Sequence, residues 1–119
     1  MNLEIGIELR DRNLVKDLFE TPQPKVGQEK IIGEGVSIRI KNYFARDTVD
    51  LPTILNIVAY IGEHVALPIA VGLLSRYLYD KLKDRKEKSR LIINYIPVEI
   101  DAEKIEHLII NILEEKKDE

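Results

Sequence analysis

Residues 51–82, LPTILNIVAYIGEHVALPIAVGLLSRYLYDKL, form an almost unbroken apolar tract in a chain that is one-third charged, 33% overall. Apolar surface left in water costs roughly 25 cal/mol per Å². The tract must therefore be covered by the rest of the chain, by a second copy or by a bilayer. A membrane-spanning helix needs about 20 predominantly apolar residues. The two charge-free runs here, 51–62 and 65–75, are 12 and 11 residues long. A window from Ile54 to Ser75 reaches spanning length only by placing Glu63 and His64 near its middle. A carboxylate at that depth costs about 2.5–3.5 kcal/mol on insertion scales, and Pro68 adds a break. Runs of this length read as buried core helices. The expectation is two buried helices over 51–82, or one kinked helix.

Length and composition bound the rest. A chain of 119 residues that is 45% hydrophobic is expected to fold as a single domain with a real core. Its first 45 residues read as mostly strand and loop, and residues 46–119 as mostly helical. Zero Cys excludes disulfides, thiol catalysis and cysteine-ligated metal sites. Eighteen Ile, many Lys and Glu and one Met lean towards a thermophile-like composition. A net charge of −3 is too mild to imply a polyanionic or polycationic partner, which argues against nucleic acid. The opening MNLEIGIEL has neither a basic n-region nor a long apolar h-region, so a cytoplasmic address is expected.

Alternation identifies strands at both ends of the N-terminal third. Leu3, Ile5, Ile7 and Leu9 alternate with Glu4, Gly6 and Glu8, and Val36, Ile38 and Ile40 with Ser37, Arg39 and Lys41. The outward faces are acidic on one strand and basic on the other, which predicts that the two are antiparallel neighbours. Between them, residues 13–20 have the pattern of two helical turns. The Pro- and Gly-rich remainder, with GEG at 33–35, reads as a loop and turn. GEG precedes a strand rather than a helix, so it lacks the context of a phosphate-cradling loop.

Asp50 with Pro52 reads as a helix start, followed by Ile54, Ile57, Val58 and Ile61 at helical spacing. A second helix from about Val65–Pro68 carries the stripe Leu67, Ala70, Val71, Leu74, Leu78 and Leu82. Ile69 and Leu73 lie off that stripe, so its first turns are apolar all round and are expected to be buried. Its last turns, Asp80 to Arg90, are charged and expected to face solvent. Residues 91–100 return to strand, and Pro97 favours a hairpin near Asn94–Ile96 over one interrupted edge strand. Asp101 caps a final helix with the stripe Ile105, Leu108, Ile109, Ile112 and Leu113. The expected fold is an α+β two-layer domain, an antiparallel sheet of three to four strands with helices on one face.

Four groups of residues are candidates for function. Glu63 and His64 form an ionisable pair inside the apolar tract, the setting in which pKa values shift and acid–base chemistry arises. Neighbouring residues on a helix point about 100° apart, so a helix–helix corner with both side chains in solvent is the favoured reading. His107 shares the polar side of the last helix with Glu103, Glu106 and Glu114. A metal site would require it to converge with His64, and nothing in the spacing demands that. Lys81, Lys83, Arg85, Lys86, Lys88 and Arg90 make a basic run that Asp84 and Glu87 dilute, without an aromatic stacking platform. Leu67, Ile69, Leu73, Leu74 and Tyr77 are the candidate subunit interface, because one thin sheet cannot cover a helix that is apolar on all sides. No catalytic residue and no cofactor is assigned, and with two His and no Cys the inventory favours binding over catalysis.

The stretch VALPIAVGLLSRYLYDKLKDRK through LIINYIPVEIDAEKIEHLI resembles short prokaryotic proteins of uncharacterised role. In these, an apolar helix ending in a YDKLK-like segment precedes a strand or hairpin and a final amphipathic helix. Some similar modules look like accessory parts of prokaryotic conflict systems. The resemblance covers the C-terminal half and transfers no catalytic residue.

The leading expectation is a non-enzymatic interaction or assembly module that forms a homo-oligomer, with a further protein partner open. Two alternatives stand beside it. One is a membrane-associated accessory protein anchored by residues 51–82. The other is a small-molecule binder or enzyme with a pocket near Glu63 and His64 under the 20–35 loop.

Overall fold

The structure, a computed structural model, describes residues 1–10, 13–44 and 53–117. Its elements are β1 (Asn2–Leu9), α1 (Leu14–Phe19), β2 (Glu29–Gly33), β3 (Val36–Phe44), β4 (Thr53–Ile61), α2 (Leu67–Leu82), a 3₁₀ helix (Lys83–Lys88), β5 (Ser89–Ile93), β6 (Ile96–Val98) and α3 (Ala102–Lys117). The strands make one six-stranded sheet in the order β2-β3-β4-β1-β5-β6. Every pairing is antiparallel. The class is α+β as expected, with twice the minimum number of strands.

Alternation in β1 builds the centre of the core. Leu3, Ile5, Ile7 and Leu9 are buried, while Glu4, Gly6 and Glu8 face the open side of the sheet. Ile5 sits opposite Ile57 on β4 and Ile93 on β5, so branched side chains from three adjacent strands meet on one face. Val36, Ile38 and Ile40 continue that face through β3. The helices cover it with Ala70, Val71, Leu74, Leu78 and Leu82 of α2 and Ile105, Ile109, Ile112 and Leu113 of α3. Asp101 caps α3, its Oδ1 accepting from the backbone N–H groups of Glu103 and Lys104 at 3.1 Å each. The β5–β6 hairpin turns on Asn94 and Tyr95, both at positive φ (51° and 68°), the mark of a type I′ turn that suits the twist of paired strands. Pro97 lies on β6, an edge strand, where a missing N–H is tolerated.

Four expectations are corrected. Residues 53–61 are a strand, β4, not the first of two helices, so the 46–119 region is less helical than its composition implied. Thr53, Leu55, Ile57, Ala59 and Ile61 face the core, while Ile54, Asn56 and Val58 are half-buried on the other side. A central strand with apolar residues on both faces hides its own alternation. Five β-branched residues in nine (Thr53, Ile54, Ile57, Val58 and Ile61) were the available signal. The expected cap Asp50 and Pro52 lie outside the described residues.

Second, β1 and β3 are not neighbours, because β4 lies between them. Their complementary charges still meet: Lys41 Nζ reaches Glu4 Oε1 at 2.9 Å over the intervening strand. Third, the 20–35 segment is not all loop, since β2 occupies its end and turns through residues 33–35 into β3. Fourth, α2 ends at Leu82, a 3₁₀ helix carries the charges that follow, and Arg90 belongs to β5.

The off-stripe residues of α2 are only partly covered by the chain itself. Ile69 is 63% exposed and Leu73 37%. No helix among the described residues is long and apolar enough to cross a membrane. The apolar tract is divided instead between a central strand and a helix packed on it.

Candidate functional site

Two chain reversals meet at one end of the sheet. One is the β2–β3 turn at residues 33–35 and the other is the 62–66 connection from β4 into α2. The backbone N–H of Gly62 donates to the Gly35 carbonyl at 2.8 Å. Gly35 has φ +73°, and a Cβ placed on it would lie 2.1 Å from Val65 Cγ2. Glycine is required there for both reasons: the left-handed conformation and the close seat against Val65. Nearby, a Cβ on Gly33 would lie 2.8 Å from Leu73 Cδ1, so α2 rests directly on the end of β2.

An open hollow of about 520 Å³ lies at this junction. Val65, Ile69, Leu73 and Tyr60 supply its apolar walls, and Glu34, Glu63 and His64 stand at its rim. On the other side of Tyr60 a second shallow depression continues onto Ile31 and Val58 of the open sheet face. Ile31 is 71% and Tyr60 51% exposed. Together with Ile69 and Leu73 they border adjoining depressions at one end of the molecule. Val26, Tyr95 and Ile96 are exposed elsewhere on the surface, so what distinguishes this end is that four such side chains stand side by side.

The sequence candidates are placed as follows. Glu63 and His64 stand on the turn before α2, exposed rather than held in an apolar setting. Neither hydrogen-bonds the other among the described residues, so the pair has no nucleophile–base or acid–base geometry. The GEG turn does come beside them, as the pocket alternative required, but around an open hollow. Leu74 is fully buried in the chain's own core and offers nothing to a partner. Tyr77 is half-buried and donates its hydroxyl to the Leu18 carbonyl, anchoring α1 to α2. Burial first, then the charge of Glu20, pushes its pKa up to about 12. Leu67 is half-buried, which leaves Ile69 and Leu73 as the candidates that present apolar surface. The partners from the N-terminal half, Ile31 and Tyr60, were not singled out. Tyr60 is the penultimate residue of β4, on its solvent side, and Ile31 breaks the polar side of an edge strand, facts visible only once the strands are placed.

The basic run is largely answered by acids from elsewhere in the chain. Arg85 bonds Asp17, Lys81 lies 3.6 Å from Glu20, and Arg90 lies 3.9 Å from Glu8. Lys81 and Lys86 also lie 5.5 Å from the ring centres of Tyr77 and Tyr79. Lys83 and Lys88 are exposed. The region is a mixed ion-pair surface rather than a single-sign field. His64 and His107 are both exposed. No group of three or more His, Cys, Asp or Glu side chains gathers in metal-binding geometry among the described residues.

One further polar cluster lies on the open sheet face around Gly6, where the missing side chain leaves a hollow of about 280 Å³. Glu4 accepts hydrogen bonds from Lys41 and from the Tyr95 hydroxyl, both 2.9 Å. These bonds hold its carboxyl below the usual range, and Glu4 in turn raises the pKa of Lys41 and Tyr95. Asn56 donates to Asn42 at 2.7 Å beside it. The charges of this face pair off (Lys41 with Glu4, Arg39 with Glu29, Arg90 with Glu8), as on a solvated antiparallel sheet. Comparison with protein-family models, with curated proteins and with solved structures finds no match to this chain.

Proposed function

We propose that the chain is a non-enzymatic assembly module that associates with a second copy of itself through the outer surface of α2. The observation that carries this reading is the exposure of Ile69 and Leu73 on consecutive turns of a helix whose other large aliphatic side chains are buried or half-buried. Ile31 and Tyr60 extend the apolar surface around the same end. Surfaces of this kind mark protein contacts, and two-fold dimers are the commonest way for one chain to cover such a patch. Against this, the hollow at Glu63 and His64 holds no organised acid–base pair, which weighs against catalysis there.

Light scattering on the detergent-free protein tests the reading. A discrete species of two or more subunits is expected. Ile69→Glu should convert it to a monomer with little loss of subunit stability, since that side chain is 63% exposed; Leu73→Glu should do the same at a further cost to the fold, because Leu73 also rests on Gly33. Only the 37% of Leu73 left exposed remains to be buried on association, so each copy contributes less than the about 1.5–3 kcal/mol of a fully buried leucine, and the two-fold counts it twice. A monomeric wild-type protein would refute the proposal.

A further inference from the structure

The surface of α2 carries more than apolar side chains. Ile69, Leu73 and Arg76 fall at i, i+4 and i+7, one continuous stripe along the helix. Arg76 is exposed at its C-terminal end, and Glu34 and Glu63 are exposed beyond its N-terminal end. Among the described residues none of the three forms an ion pair, as is also true of Lys83, Lys86 and Lys88. The stripe thus runs from the acidic turn through apolar side chains to Arg76, with the exposed Asp80 one turn further along the same line. Gly72 lies next to Leu73, and no atom comes within 4 Å of where its Cβ would stand.

A polarity of this kind is complementary to its own reverse. We infer that a second copy of this chain docks on α2 in antiparallel, two-fold fashion, Ile69 against the partner's Leu73 and Arg76 against the partner's Glu34 and Glu63. The inference rests on the self-association proposed above and adds its geometry. Pairing Ile69 with Leu73 across a two-fold places the axis at the level of Val71 and sets Arg76 level with Ala66 of the partner subunit. That residue closes the turn bearing Glu63. Arginine spans the remaining gap, and a guanidinium has the donors to serve both carboxylates. Gly72 lies beside the crossing, where a small residue lets two helices approach closely. Packed helices commonly cross at about 50°, so positions further out, Asp80 among them, diverge instead of meeting the partner's acidic turn. The reverse pairing also opposes the two helix dipoles.

Two experiments test this geometry separately from self-association itself. In sedimentation equilibrium, Arg76→Glu should weaken the dimer about tenfold, because the two-fold repeats each lost pair. Adding Glu34→Lys and Glu63→Lys to that variant should restore it. The chain has no cysteine, so Ile69→Cys and Leu73→Cys provide a direct register test. Mixed in equal amounts and oxidised, the two variants should cross-link to each other faster than either does alone. A wild-type dimer indifferent to the charge reversal, or showing no preference for the mixed cross-link, would overturn the inferred geometry and leave self-association standing. A monomeric wild-type protein would overturn both.

Discussion

Gly35→Ala perturbs the joint on which the candidate site is built, and its cost can be worked from two separate terms. The backbone at residue 35 has φ +73°, and an L-residue in the left-handed region costs about 1–2 kcal/mol. The new methyl would also lie 2.1 Å from Val65 Cγ2, less than any real contact, so Val65 or the turn must move. Displacing a packed side chain costs about 1–3 kcal/mol. The sum is about 2–5 kcal/mol, a large fraction of a small domain's stability. The two terms separate in a double-mutant cycle. Val65→Ala alone should cost about 1 kcal/mol, as it removes methyl groups from a half-buried position. In combination with Gly35→Ala it removes the collision but not the backbone strain. The double variant should therefore be no less stable than Gly35→Ala, with a favourable coupling of about 1–3 kcal/mol. Urea unfolding with unchanged m-values provides the measurement. Additivity of the two single changes within about 0.5 kcal/mol would refute the packing argument. A cost below about 1 kcal/mol for Gly35→Ala would refute the backbone term as well.

Two further outcomes follow from single residues. Tyr77 titrates near pH 10.0 in the unfolded chain and is pushed up to about 12 in the fold. Its contribution is therefore complete below pH 10.0 and is lost as pH rises towards 12. Tyr77→Phe should flatten that alkaline decline in a pH series of unfolding free energies, while costing about 1 kcal/mol near neutrality for the lost bond to Leu18; an unchanged alkaline slope would contradict the assignment. Asp101→Ala should cost about 1 kcal/mol by exposing the first N–H groups of α3, read by thermal unfolding, whereas Asp101→Asn should cost much less because the amide oxygen still accepts.

Local patterns carried much of the architecture. Alternation placed β1 and β3, helical spacing placed α1, α2 and α3, Asp101 marked a cap and Pro97 marked an edge hairpin. Each of these signals is a property of consecutive residues, set by backbone geometry and by which side chains share a face. β4 escaped the same reading because Ile54, Ile57, Val58 and Ile61 satisfy helical spacing while its core-facing residues satisfy the strand period. The share of β-branched residues leans towards the strand, and its place between β1 and β3 settles it. β2 escaped because its few residues follow a segment punctuated by Pro22, Pro24 and Gly27, and an edge strand needs only one hydrogen-bonded neighbour.

The candidate surface divides along the same line. Ile69 and Leu73 were legible as surplus apolar residues, since a helix has more faces than one sheet can cover. That Leu74 and Tyr77 serve the chain's own core, that Ile31 and Tyr60 stand at the same end as Ile69, and that Glu34 reaches the turn of Glu63 are facts of the sheet order. The sequence by itself determined which residues had to leave water and with what period. The tertiary structure decided which of them found cover within the chain, because strand order and turn packing join residues far apart along it and no local periodicity encodes that distance.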